Sequence, residues 1–94
     1  MTDRELLERA ANAARIPLRS WYDNPGAFHT SLKHPRSWWN ALTDYGDALR
    51  LAQALRLDIE FHNGGQVHVG RREWASDADI CRAIVRAAAA MGEQ

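Results

Sequence analysis

Leu57-Asp58-Ile59-Glu60-Phe61-His62-Asn63-Gly64-Gly65-Gln66-Val67-His68-Val69-Gly70-Arg71 is the stretch whose reading decides the fold. Leu57, Ile59 and Phe61 alternate with Asp58, Glu60 and His62, and beyond the glycines Val67 and Val69 alternate with Gln66 and His68. A period of two is that of strands with one buried face. Opposed residues of an antiparallel pair point to the same side, so parity selects the register. A two-residue loop would set apolar against polar throughout. A three-residue loop, Asn63 to Gly65, pairs Phe61 with Val67 and Ile59 with Val69 toward the core, and it calls for a left-handed residue that Gly65 supplies. The outer face then pairs Glu60 with His68 and His62 with Gln66. The pattern predicts a hairpin of strands 57–62 and 66–71.

Helices flank it on both sides. Downstream, Ser76-Asp77-Ala78-Asp79 offers a cap, and Ile80, Ala83, Ile84, Ala87, Ala88 and Met91 recur at helical spacing until Gly92 ends the run. Upstream, Thr43 reads as an N-cap, and Asp44 and Asp47 place negative charge where the helix dipole favours it. Ala48, Leu49, Leu51, Ala52 and Leu55 then give a helix over 44–56 its apolar face. At the start of the chain, Thr2-Asp3-Arg4-Glu5 has the form of a capping box. Leu6, Leu7, Ala10, Ala11 and Ala14 extend it into a helix over 3–15, and Pro17 forbids continuation.

The stretch 18–42 has no sustained period, contains Pro25 and Pro35, and reads as a long loop with room for a third strand near 18–22. The predicted class is α+β: three helices packed on one face of the hairpin, in a single domain over 1–94. Its core would join the last helix to Ile59, Phe61, Val67 and Val69.

Composition narrows what such a domain can be. Of 94 residues 46% are hydrophobic, and 12 Lys and Arg balance 12 Asp and Glu. That content excludes wholesale disorder, and the balance argues against a polycationic nucleic-acid coat or a polyanionic DNA mimic. Cys81 is the sole cysteine. It leaves no internal disulfide or thiolate cluster, which fits a reducing cytoplasm. The charged N-terminus and the short longest apolar run, Ala87 to Met91, predict a protein neither secreted nor membrane-spanning.

Opposed charge is hidden in the neutral total. Arg19, Lys33 and Arg36 face one acid, Asp23, over residues 19–39, which also hold Trp21, Tyr22, Phe28, Trp38 and Trp39. The following 43–63 stretch is acidic. A loop so long and aromatic is more than a connector. Trp, Tyr and Arg dominate interface hot spots, so the candidate binding residues are Arg19, Trp21, Tyr22, Lys33, Arg36, Trp38 and Trp39, with Asp44 and Asp47 as an acidic rim. In an extended segment adjacent Trp38 and Trp39 point oppositely, one into the core and one outward. The same basic and aromatic residues could instead bind single-stranded nucleic acid, by stacking and phosphate contact.

No catalytic set emerges. Cys81 sits beside a buried stripe, where an inert thiol is expected. No nucleophile elbow, phosphate loop or dinucleotide fingerprint occurs. His62 and His68 can lie diagonally with Glu60, and His29 and His34 are close in sequence, but neither set has a metal-ligand spacing. No metal, cofactor or catalytic residue is assigned, and small-ligand binding or catalysis by an unrecognised site is a further alternative. The hairpin's unpaired edge also suits a homodimer.

The run Trp39-Asn40-Ala41-Leu42-Thr43-Asp44-Tyr45-Gly46-Asp47-Ala48-Leu49-Arg50-Leu51-Ala52, then the hairpin and Cys81-Arg82-Ala83-Ile84-Val85-Arg86-Ala87-Ala88, resembles small phage and prophage proteins of unknown function, loosely NinX-like, across residues 38–92. Ala41 and Tyr45 stand where that pattern has proline and aspartate. The resemblance implies a bacteriophage accessory protein working in host cytoplasm by binding a host or phage protein, of host-interaction or anti-defence type, and it brings no catalytic residues.

Overall fold

The computed structural model describes residues 2–23, 26–30, 38–71 and 74–92. In chain order they form α1 (Asp3–Ala14), β1 (Leu18–Tyr22), β2 (Ala27–Thr30), β3 (Trp38–Trp39), α2 (Tyr45–Leu55), β4 (Asp58–Phe61), β5 (Val67–Gly70), β6 (Trp74–Asp77) and α3 (Ile80–Met91). The class is α+β. Two three-stranded antiparallel sheets, ordered β1-β2-β3 and β4-β5-β6, replace the lone hairpin.

Local chemistry accounts for the helix ends. The Thr2 hydroxyl accepts from Glu5 N–H at 3.2 Å while the Glu5 carboxylate accepts from the Thr2 backbone, completing the capping box. Asp44 rather than Thr43 caps α2, accepting from Asp47 N–H at 3.0 Å, and Asp79 caps α3 through Cys81 N–H at 2.9 Å. α1 ends before Pro17 is reached. Arg15 takes a left-handed conformation, and Ile16 N–H returns to the Ala11 carbonyl at 2.8 Å. Arg56 and Leu57 close α2 in the same way on Ala52. Both are Schellman closures built on arginine instead of glycine. Their cost is offset by Ile16 and Leu57, which are thereby turned toward the core.

The hairpin register follows parity: Phe61 pairs with Val67, Glu60 with His68 and Ile59 with Val69. Gly64 and Gly65 are both left-handed in the loop. The expected core face needs one correction, since Phe61 is 75% exposed. The cause is β6, which pairs with β5 and shifts the centre of the sheet. α3 packs on β5 and β6, so β4 becomes an outer edge, with Ile59 half-buried and Phe61 beyond cover.

A second correction concerns the helices. Of the three helices α3 alone packs substantially against this sheet, and α1 and α2 pack chiefly on α3 rather than on a shared sheet face. The physical reason lies in α3 itself: Cys81, Ala83, Ile84, Val85, Ala87, Ala88 and Ala89 are all buried. A helix apolar nearly all round belongs in the middle. Met91, read as part of the stripe, is 37% exposed at its end.

The third correction falls on 18–42. Its β1 matches the expected strand near 18–22, but it pairs with β2 in the separate sheet and never joins the hairpin. Leu18, Trp21, Phe28 and Trp39 turn to the core side of that sheet. Thr30 is held by its hydroxyl, which donates to the Pro17 carbonyl at 2.8 Å. No helix among the described residues is long and apolar enough to cross a membrane.

Candidate functional site

Strand alternation in β2 sends Phe28 inward and His29 outward, and its pairing with β3 sets Phe28 opposite Trp39 and His29 opposite Trp38. Tyr22 lies opposite Ala27, on the His29 side. Two ring layers result. On the core side, Trp21 meets Phe28 edge-to-face with centroids 4.9 Å apart, and the Trp21 indole N–H donates to Asp23 at 2.7 Å. Trp39 is 3% exposed in this layer.

On the outer side, His29 and Trp38 lie 4.2 Å apart, Tyr22 and His29 4.8 Å, and Tyr22 and Trp38 5.4 Å in edge-to-face contact. Tyr22 is 43% exposed, and His29 and Trp38 are half-buried. Rings that pack on one another lose rotamer freedom before any partner arrives, which lowers the entropy cost of binding. The arrangement is a small, preformed apolar contact surface with hydrogen-bonding edges.

The remaining predicted residues scatter. Arg19 leaves the ring face and lines an open groove of about 370 Å³ between α1 and β1, with Glu8, Asn12, Ile16, Leu18 and Phe28. Asp44 and Asp47 are structural. Asp44 caps α2, and Asp47 accepts from Asn40 N–H at 3.0 Å while pairing with Arg50 at 3.3 Å. Asn40 in turn donates its side-chain amide to the Gly26 carbonyl at 2.6 Å. These bonds tie the end of β3 to the start of β2 and so hold the ring surface in shape. Lys33 and Arg36 lie outside the described residues. His29 joins the site although 27–30 lies in a stretch with no sustained period; the alternation of Ala27-Phe28-His29-Thr30 is the signal that sets it with Tyr22 and Trp38.

No family model matches the chain, and no curated protein or solved structure is found similar to it. Cys81 is 3% exposed, and burial first, then the charges of Asp79 and Asp44, push its thiol up, away from the reactive thiolate. His62 and His68 stack at 3.9 Å, nearly parallel, and the Glu60 carboxylate bonds His62 at 3.1 Å instead of the opposite His68. Face-to-face imidazoles aim their nitrogens past one another. Among the described residues no group of three His, Cys, Asp or Glu is placed to hold a metal ion.

Proposed function

We propose that this is a non-catalytic binding protein whose partner is a host or phage protein, engaged through the ring surface of Tyr22, His29 and Trp38. One observation carries the reading: three mutually packed aromatic rings stand accessible on a sheet face while the neighbouring rings Trp21, Phe28 and Trp39 are spent on the core. Tyr and Trp at the centre of a contact are the residues on which binding energy concentrates. Among the described residues Arg19 lines the groove on the Phe28 side and not the face of Tyr22, His29 and Trp38, which supports a protein partner over a nucleic acid, since stacked bases need phosphate-binding cations beside the aromatic platform. The resemblance of residues 38–92 to small phage proteins supports reading that partner as one met in the cytoplasm of a bacterial host.

The test is affinity capture from infected-host lysate, with and without nuclease, by the wild-type chain and by Trp38→Ala. The reading expects a protein captured regardless of nuclease and lost with Trp38→Ala, at a cost of about 2 kcal/mol or more in affinity, while circular dichroism shows the fold retained. Capture abolished by nuclease would transfer the site to nucleic acid. Capture undiminished in Trp38→Ala would remove the ring surface from the interface.

A further inference from the structure

Two three-stranded sheets end in four edges, and backbone geometry sorts them. Antiparallel partners alternate between residues whose N–H and C=O point to a given neighbour and residues whose groups point away. His62 N–H donates to the Gln66 carbonyl at 2.9 Å, so Glu60 and Asp58 likewise face β5, while Ile59 and Phe61 turn their backbone groups outward. By the same alternation the Ser76 carbonyl lies on the outer edge of β6. There Arg86 donates to it at 2.9 Å and pairs with Asp77 at 3.6 Å, closing that edge from α3. β1 is broken by a bulge between Leu18 and Trp21, and β3 has two residues. Bulges and covering side chains are how sheets blunt their edges. β4 has neither. It is a regular four-residue edge, and Phe61 stands on it 75% exposed.

We infer that β4 is an interface with a second copy of this chain, the two β4 strands pairing antiparallel about a two-fold axis at Phe61. In this register Phe61 lies opposite the partner subunit's Phe61 and exchanges both backbone hydrogen bonds with it. Glu60 falls opposite the partner subunit's His62, and His62 opposite the partner subunit's Glu60. Each Glu60, already 3.1 Å from its own His62, is thereby set between two imidazoles.

Charge selects this register from those that keep matching faces. Centring the axis on Glu60 would oppose Glu60 to its own copy, and centring it on Ile59 would oppose Asp58 to Glu60; like charges directly opposite are destabilising. Of these three registers the one centred on Phe61 alone sets no carboxylate against another. Few residues meet on each side, well below a standard interface, so the association is weak.

Sedimentation equilibrium of the full chain, from about 10 µM to 1 mM at neutral pH, tests it. The wild type should follow a monomer–dimer equilibrium. Phe61→Glu, whose fold is checked by circular dichroism, should raise the dissociation constant on the order of 30-fold, and Glu60→Lys should weaken the dimer. Adding His62→Glu to Glu60→Lys should restore it, because a cation at 60 then meets a carboxylate at 62 across the axis. A wild type that stays monomeric at 1 mM overturns the inference. So does a dimer untouched by Phe61→Glu, or a double variant no better than Glu60→Lys. Partner capture through Trp38 is expected to survive Phe61→Glu, so failure here and failure of the ring-surface reading are distinguishable.

Discussion

Replacing Gly92 by Ala sets two physical arguments against each other with opposite signs. Gly92 has φ −81° and ψ −3°, a conformation any residue adopts. On backbone entropy alone, alanine there should stabilise the fold by about 0.4–1 kcal/mol. The packing says otherwise. α1 and α3 start together, with Arg82 3.2 Å from Asp3, and by Gly92 their backbones have closed up so far that an added Cβ would sit 3.0 Å from the Arg9 carbonyl carbon and deeper still against its oxygen. The obstacle is backbone, which cannot swing aside as a side chain would. Overpacking of this kind costs about 1–3 kcal/mol. The last turn of α3 can retreat only by giving up the bonds from Gly92 N–H to the Ala88 and Ala89 carbonyls at 3.2 and 3.0 Å, so fraying is no free escape. The net expectation is a loss of about 1–2 kcal/mol, or roughly 5–15 °C in melting temperature for a domain of this size. Thermal and urea unfolding followed by far-ultraviolet circular dichroism measure it. An unchanged or raised midpoint would refute the close approach of α1 and α3.

Trp39→Ala and Phe61→Ala should separate sharply in urea unfolding. Removing the buried Trp39 ring is expected to cost about 3–5 kcal/mol, whereas the solvent-facing Phe61 should cost under about 0.5 kcal/mol in the monomer. Comparable losses would contradict the position of α3 over β5 and β6. Glu5 is held below the usual carboxylate range by the Thr2 backbone N–H first and then the Thr2 hydroxyl. A folded-state value lower than the unfolded one means that its contribution is complete at neutral pH and drains away as pH falls through the folded value. The wild type should therefore melt above Glu5→Gln at pH 7, and the two should converge once the pH has fallen through the folded value of Glu5; a gap that persists in strong acid would show that the difference does not come from the Glu5 charge.

The parts of the fold readable from residues alone are those governed by short-range rules. Thr2 to Glu5 specify a capping box within four residues, and the stripe from Ile80 to Met91 specifies α3. The parity of Ile59, Phe61, Val67 and Val69 admits one register across a three-residue loop, and that register is present. Side-chain period, caps and turn glycines act over a turn or two of chain, so the sequence carries them openly.

What lies on each face was settled by tertiary structure. Nothing in Asp58 to Phe61 says that β6 will take the far side of β5 and draw α3 away, yet that pairing alone leaves Phe61 in solvent. In 18–42 the period is hidden by a bulge in β1 and by strands of four and two residues, too short to repeat a pattern. The opposite directions of Trp38 and Trp39 followed from their adjacency, but which ring went inward did not: β2 decided it by offering Phe28 to Trp39 and His29 to Trp38. Asp44 and Asp47 were legible as helix-start acids. Their commitment to capping and to Asn40 depends on where β3 delivers the chain, since a carboxylate's partner is chosen by distance in space, which the order of residues does not record.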